Sequence, residues 1–292
     1  VNIIRHRKIW FAISLFVVIP GVISLFYQGL NLGIDFTGGT IFNLQFGKQV
    51  TEAQVRSVLD DFGIGAKSSI QAAGNKVMLV RTVPLDIKKR DAILEDMRNK
   101  LGKVEVKSED TVGPVIGDEL ARNALLALAI ASVLMVIYIT FRFEFLFGIA
   151  AIIALLHDVL VVVGIFSIFQ FEVDSAFIAA VLTILGYSIN DTIVIFDRIR
   201  ENLKFKKKDE TFEDLVNKSV LQTMTRSVNT VLTVLFTLIA LYFFGGETSR
   251  NFTLAMLIGV SSGMYSSIFN ASPLWVEFKN WQARRQRAAK VA

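Results

Sequence analysis

The sequence predicts an α-helical polytopic membrane protein: six transmembrane helices, with one small α+β domain between the first and the second. Three observations carry this. Of the 292 residues, 53% are hydrophobic and the mean hydropathy is +0.52, with the excess gathered in blocks of about 20 residues, the length a tilted helix needs to cross the hydrocarbon. Residues 29–120 break that pattern, being mixed in charge and without an apolar run long enough to span. The basic residues outside that stretch sit at the ends of the blocks, where cytoplasmic loops are expected to carry them.

The first block runs from about 9 to 27 behind Arg5, Arg7 and Lys8, which places the N-terminus in the cytoplasm. It is long enough to span and has no small-residue cleavage site after it, so it reads as a span rather than a cleaved leader. Pro20 interrupts it, either as a harmless kink or as a sign of neighbours that satisfy the freed backbone. The chain begins at Val1, which fits an alternative start, trimming or a fragment of a longer polypeptide.

In residues 29–120 the pattern reads as a strand over 40–46 with Phe42, Leu44 and Phe46 on one face. A helix follows, opened by a capping box of Thr51 and Gln54, with Val55, Val58, Leu59 and Phe62 at helical spacing. Strands near 68–72 and 77–82 flank a turn at Gly74 and Asn75. A second helix with Ile93, Leu94, Met97 and Leu101 as its stripe leads to a last strand around Val104 and Val106. The order β-α-β-β-α-β is that of a ferredoxin-like domain, held on the extracytoplasmic side.

Five further spans are expected at about 123–141, 145–169, 175–196, 221–244 and 252–275. Arg142, the run from Arg198 to Lys208, and Arg284, Arg285, Arg287 and Lys290 mark the cytoplasmic ends. Glu172 and Asp174, and the 245–250 turn, mark the outer ones. Both termini are then cytoplasmic. The domains follow as 1–28, N-terminus and first helix; 29–120, extracytoplasmic domain; 121–275, the remaining five helices with a cytoplasmic loop at 198–220; and 276–292, a basic cytoplasmic tail. The net charge of +5 is a topology signal rather than a nucleic-acid footprint.

With no cysteine and two histidines, His6 and His157, a disulfide framework is excluded and a protein-only zinc site is disfavoured. The GIDFTGGT stretch at 33–40 lacks the lysine of a phosphate-binding loop and reads as a structural turn. No hydrolase, ATP or haem motif is present, so neither an enzyme nor a cofactor is expected.

Asp191 stands among apolar residues six positions before Asp197, about 9 Å inside that boundary at 1.5 Å per residue. A carboxylate at such depth costs a few kcal/mol even on lenient insertion scales, and it serves either proton or ion movement or a structural bond to a neighbour. Arg226, near the start of the next antiparallel helix, reaches a similar depth. It reads either as the partner of Asp191 or as an arginine snorkelling to the headgroups. Thr183, Tyr187, Asn190 and Asp191 share one helix face, with Ser188 and Thr192 beside them, a stripe that either holds water for proton transfer or glues helices. Gly186 reads as a point of close helix approach. His157 and Asp158 lie halfway along the third span; leaving the helix about 100° apart, they are expected to meet different neighbours, as relay or as polar packing.

These residues carry a resemblance that covers nearly the whole chain. GIDFTGG at 33–39, VGPVIGDEL at 112–120, LLHD at 155–158, GYSINDTIVIFDRIREN at 186–202 and QTMTRSVNT at 222–230 resemble motifs of the SecD/SecF protein-export family, of the resistance-nodulation-division transporter class. The SIND core, Ser188 to Asp191, is similar to the SecF branch. The resemblance implies an accessory role in bacterial Sec translocation in the cytoplasmic inner membrane, driven by the proton-motive force. It implies that Asp191 and Arg226 belong to a proton-conducting polar cluster, and Asn190, Thr192, Ser188, Tyr187, His157 and Asp158 are taken with them as candidates for the proton pathway on their polarity and position. It also implies as partners SecD, separate or fused, the SecYEG translocon, the YajC and YidC accessory proteins, and the exported polypeptide. The rival readings are a proton-driven small-molecule or lipid exporter and a non-conducting scaffold of the translocon.

Overall fold

The structure, a computed structural model, describes residues 2–74, 76–246 and 249–291. In chain order its main elements are α1 (Arg7–Tyr27), β1 (Gly39–Phe46), α2 (Glu52–Asp61), β2 (Ser69–Ala72), β3 (Val77–Thr82), α3 (Ile87–Leu101), β4 (Val104–Val112), α4 (Pro114–Arg142), α5 (Phe145–Phe169), α6 (Ser175–Lys204), α7 (Phe212–Phe244), α8 (Arg250–Ser266), a π-helical turn (Ser267–Ala271) and α9 (Ser272–Val291). The chain divides into two compact units, Leu32–Leu126 and Val1–Asn31 with Ala127–Ala292.

In the first unit, four strands form an antiparallel sheet in the order β2-β3-β1-β4. Alternation along β1 sends Phe42, Leu44 and Phe46 inward, where they meet Val55 and Leu59 of α2 and Ile93 and Met97 of α3. The Thr51–Gln54 capping box opens α2, and Asp86 caps α3 by accepting the Lys89 N–H at 2.7 Å. Strand β4 runs to Val112, past the expected Val106. Its polar residues Glu105, Glu109 and Asp110 pair along β1, with Lys107 at the point where the register shifts between Asn43 and Leu44, because an edge strand needs only one buried face. The GIDFTGGT stretch forms one helical turn, Ile34–Thr37, and two glycines at φ 68° and 155°. A Cβ on Gly39 would meet Ile34 Cγ2 and the Thr82 carbonyl at 2.7 Å, which explains the glycine. Asn75 of the expected turn, and Glu247 and Thr248 of the last outer loop, lie outside the described residues.

In the second unit, six helical stretches are long and apolar enough to cross a membrane, the last running from α8 through the π-turn into α9. The turn at 205–211 is much shorter than the expected loop over 198–220. Thr211 caps α7 by accepting the Asp214 N–H at 3.1 Å, and the helix ends zip together through Asn202 to Ser219 Oγ and Arg198 to Gln222. These bonds satisfy groups that a frayed end would leave to water, so the helices continue past their apolar stretch.

The centre of this unit is α5, α6 and α8, whereas α1 and α4 expose almost all of their apolar surface. Close approaches come from glycines on neighbouring helices. Gly21 of α1 and Gly164 of α5 place backbone against backbone, and Gly259 and Gly263 of α8 sit against Ile184 and Ser188 of α6. Gly186 does not act this way: a Cβ there meets nothing within 4 Å, because it lies on the face of α6 turned away from α8. Before α1, Ile3 and Ile4 are fully buried in the same hydrophobic cluster as Trp275, and the Ile3 N–H is held by Asn217 Oδ1 at 2.7 Å. Arg7 pairs with both Glu213 and Glu277, tying the starts of α1 and α7 to α9.

Candidate functional site

Helix α6 places its polar residues on two faces, as the 100° step between successive residues requires. Tyr187, Ser188, Asn190 and Asp191 line a cavity of about 60 Å³ shared with Arg226 and Thr230 of α7 and Val260, Gly263 and Met264 of α8. Ser188 and Thr192 are buried toward α8. Thr183 belongs to neither group: it is exposed, and its hydroxyl donates to the Ala179 carbonyl of its own helix.

Asp191 accepts one hydrogen bond, from Ser227 Oγ of α7 at 2.5 Å. Its other oxygen, Oδ2, is buried and has no hydrogen-bond partner among the described residues. A buried acceptor without a partner costs about 1–3 kcal/mol, and here it belongs to a residue that lines a polar cavity.

Arg226 does not form the ion pair that its depth suggests. Among the described residues no ion pair of 4.0 Å or less joins it to Asp191. Helix α7 instead buries Ser227 against α6, which turns the neighbouring Arg226 along the cavity wall. The same arginine and Val194 also line a more open cleft of about 350 Å³ with Asp197, Arg198, Glu201, Gln222 and Thr223. Arg226 thus stands between the cavity holding Asp191 and a charged cleft at the helix ends.

His157 and Asp158 do touch, contrary to the reading from helical geometry: His157 Nδ1 lies 3.1 Å from Asp158 Oδ1. The 100° separation applies to the Cα–Cβ directions, and an imidazole is long enough to turn back onto its neighbour. His157 is also stacked near Tyr265, with ring centroids 6.1 Å apart. Asp158 is fully buried and accepts from Ser188 Oγ at 2.6 Å, Ser262 Oγ at 2.7 Å and Ser266 Oγ at 2.7 Å. Neither His157 nor Asp158 lines the Asp191 cavity, but Ser188 belongs to both groups. Thr192 bonds to Ser267 of the π-turn at 2.8 Å, and Ser267 donates to the Ser188 carbonyl at 3.3 Å.

The sequence reading assigned no role to Ser227, which lies within the QTMTRSVNT motif, and missed Ser262, Ser266 and Ser267, whose local mark is the spacing of Ser262 and Ser266, one helical turn apart in an apolar helix. Among the described residues, no group of three or more metal-ligating side chains is present.

Comparison with known proteins matches two family models to the chain. Residues 93–281 match "Protein export membrane protein SecD/SecF, C-terminal", and residues 23–50 match "SecD/SecF GG Motif". A protein translocase subunit SecF of Sebaldella termitidis is 46% identical over 277 residues, covering 94% of this chain and 90% of that protein. A protein translocase subunit SecDF of Bacillus subtilis is 43% identical, covering 97% of this chain but 38% of its own length. The crystal structure of SecDF, a translocon-associated membrane protein from Thermus thermophilus, superposes with a TM-score of 0.88 at 39% identity, covering 96% of this chain and 39% of that one. With a family model matched over most of its length and a relative of nearly equal extent, the chain belongs to the SecD/SecF family of protein-export membrane proteins.

Proposed function

We propose that this multi-pass membrane protein is an accessory subunit of the Sec translocation machinery that, with SecD, uses the proton-motive force to promote export of polypeptides across the cytoplasmic membrane. The observation that carries the proton step is Asp191, a carboxylate with one buried, unpartnered oxygen at the wall of a polar cavity deep in a membrane helix. A cavity of about 60 Å³ has room for a few waters. Pockets for small molecules run to roughly 300–1,000 Å³. The size therefore supports proton movement over small-molecule export through this cavity.

In this proposal protons reach Asp191 from outside past Tyr187, Ser188 and Asn190, and leave past Arg226 toward the cleft at Asp197 and Glu201. Thr192, His157 and Asp158 form a second polar layer behind Ser188. Gain and loss of the Asp191 charge changes the α6–α7 contact made through Ser227. One charge crossing 100 mV releases about 2.3 kcal/mol, enough to move a conformational ratio by tens of fold if fully coupled. That scale suits biasing the release of a polypeptide without ATP.

The names and lengths of the SecDF relatives support SecD as partner, separate or fused. The proposal extends to SecYEG, YajC, YidC and the exported chain. The element order and the sheet order β2-β3-β1-β4 support a ferredoxin-like domain. Basic residues at Arg142, 198–208 and the C-terminal tail support an extracytoplasmic side for that domain and cytoplasmic termini.

In proteoliposomes holding the chain with SecD and the translocation channel, Asp191→Asn should preserve the fold and abolish proton-dependent stimulation of export. Normal stimulation by that variant would remove Asp191 from the mechanism and favour a scaffold.

A further inference from the structure

We infer that Asp158 is a positioning residue for the Asp191 site, fixing the Ser188 hydroxyl so that it offers the cavity an acceptor and no hydrogen. The inference rests on the proposed proton role of Asp191 and adds a positioning residue to it. Four donors converge on the Asp158 carboxylate: Ser188 and Ser266 on Oδ2, Ser262 and His157 on Oδ1. They come from α6, α8 and α5 itself, so the carboxylate is the point where three helices are pinned. A carboxylate has about four acceptor positions, and here all are taken.

The consequence lies at Ser188. A hydroxyl has one hydrogen, and that hydrogen is committed to Asp158 Oδ2 at 2.6 Å. Among the described residues nothing donates to Ser188 Oγ, and the same serine lines the Asp191 cavity. Rotation of the hydroxyl toward the cavity would break a buried hydrogen bond to a carboxylate, a strong class of hydrogen bond. The close approach of Gly263, whose added Cβ would lie 3.0 Å from Ser188 Cβ, holds the serine against α8. Any hydrogen bond between Ser188 and an occupant of the cavity is therefore one that the serine accepts, whereas Asn190 and Arg226 of the same lining supply donors. The titratable and charged groups around this arrangement are His157 on α5, Tyr187 and Asp191 on α6, Arg226 on α7 and Tyr265 on α8.

The test is the pH profile of proton-driven export in proteoliposomes containing the channel, SecD and this chain. Four variants are compared with the unaltered protein: Asp158→Asn, Ser188→Ala, Ser261→Ala and Asp191→Asn. Asparagine at 158 turns an N–H toward one of its serine donors, and alanine at 188 removes the acceptor. Both should displace the midpoint by about one pH unit, a tenfold change in apparent proton affinity. Ser261→Ala removes an exposed α8 hydroxyl that bonds the Leu257 carbonyl of its own helix, outside the cage and the cavity, and its profile should superimpose on that of the unaltered protein. If Asp191→Asn is inactive while Ser188→Ala and Asp158→Asn keep an undisplaced profile, the positioning role is wrong and the proton role stands. An equal displacement in Ser261→Ala overturns it too, since the profile would then follow the loss of any serine from the helices. If Asp191→Asn is active, both readings fall together. Should Asp158→Asn fail to fold, Ser188→Ala decides.

Discussion

The crossing of α1 and α5 makes a sharp prediction about stability. At Gly21 an added Cβ would lie 2.7 Å from Gly164 Cα, and at Gly164 it would lie 2.8 Å from Gly21 Cα. Ordinary contact begins near 3.4 Å, so Gly21→Ala forces the two helices apart by roughly 0.7 Å, and neither can relieve the clash by a rotamer change because both atoms are backbone. Overpacking of this kind costs about 1–3 kcal/mol, against which alanine recovers about 0.5–1 kcal/mol of helix propensity. The net expectation from the middle of these ranges is a loss of about 1 kcal/mol, a factor of roughly 5–10 in the folded ratio. Gly186→Ala in α6 is the matched control: nothing lies within 4 Å, so only the propensity gain remains and the chain should be unchanged or slightly more stable. Reversible denaturant unfolding of the isolated chain in mixed micelles, followed by circular dichroism, measures both. Equal stabilities for the two variants would refute the backbone-contact argument.

Two further outcomes concern the unit Leu32–Leu126. Thr51→Ala removes the hydroxyl that accepts the Gln54 N–H while leaving the reciprocal bond from the residue-51 backbone N–H to Gln54 Oε1, and should cost about 1 kcal/mol in thermal unfolding. Lys100 bridges Asp61 of α2 and Asp96 of α3 at 2.7 and 2.8 Å, and these hydrogen bonds, that to Asp61 first, raise its pKa above the ordinary lysine value. A raised folded-state pKa contributes stability that is fully present below the ordinary value and lost as the pH rises through the raised one. Lys100→Met should therefore flatten the alkaline limb of the stability curve.

Much of the local structure was legible because its causes are local. The stripe of Ile93, Leu94, Met97 and Leu101 is buried as its spacing requires, and the Thr51–Gln54 box closes as its chemistry requires. The loop expected over 198–220 is shorter in the structure, because side chains of that stretch bond to one another across the paired ends of α6 and α7. Polar β4 was cut short for a similar reason: its partner β1, not its own hydropathy, sets its length.

The sequence by itself determined the spans, the place of the α/β unit, and that Asp191 is a carboxylate in an apolar helix, because transfer energy and periodicity belong to single segments. Which neighbour Asp191 meets was decided only by tertiary structure, since one residue along α7 is a rotation of 100° and exchanges Arg226 for Ser227. The cage around Asp158 is of the same kind: its serines Ser262 and Ser266 lie 104 and 108 residues away, and nothing in their local pattern says which carboxylate they face. The rotation and crossing of each helix follow from the side chains and glycines of its neighbours. The depth of the carboxylate was therefore written in one segment, whereas the arrangement of its oxygens, one bonded and one bare, needed three helices at once.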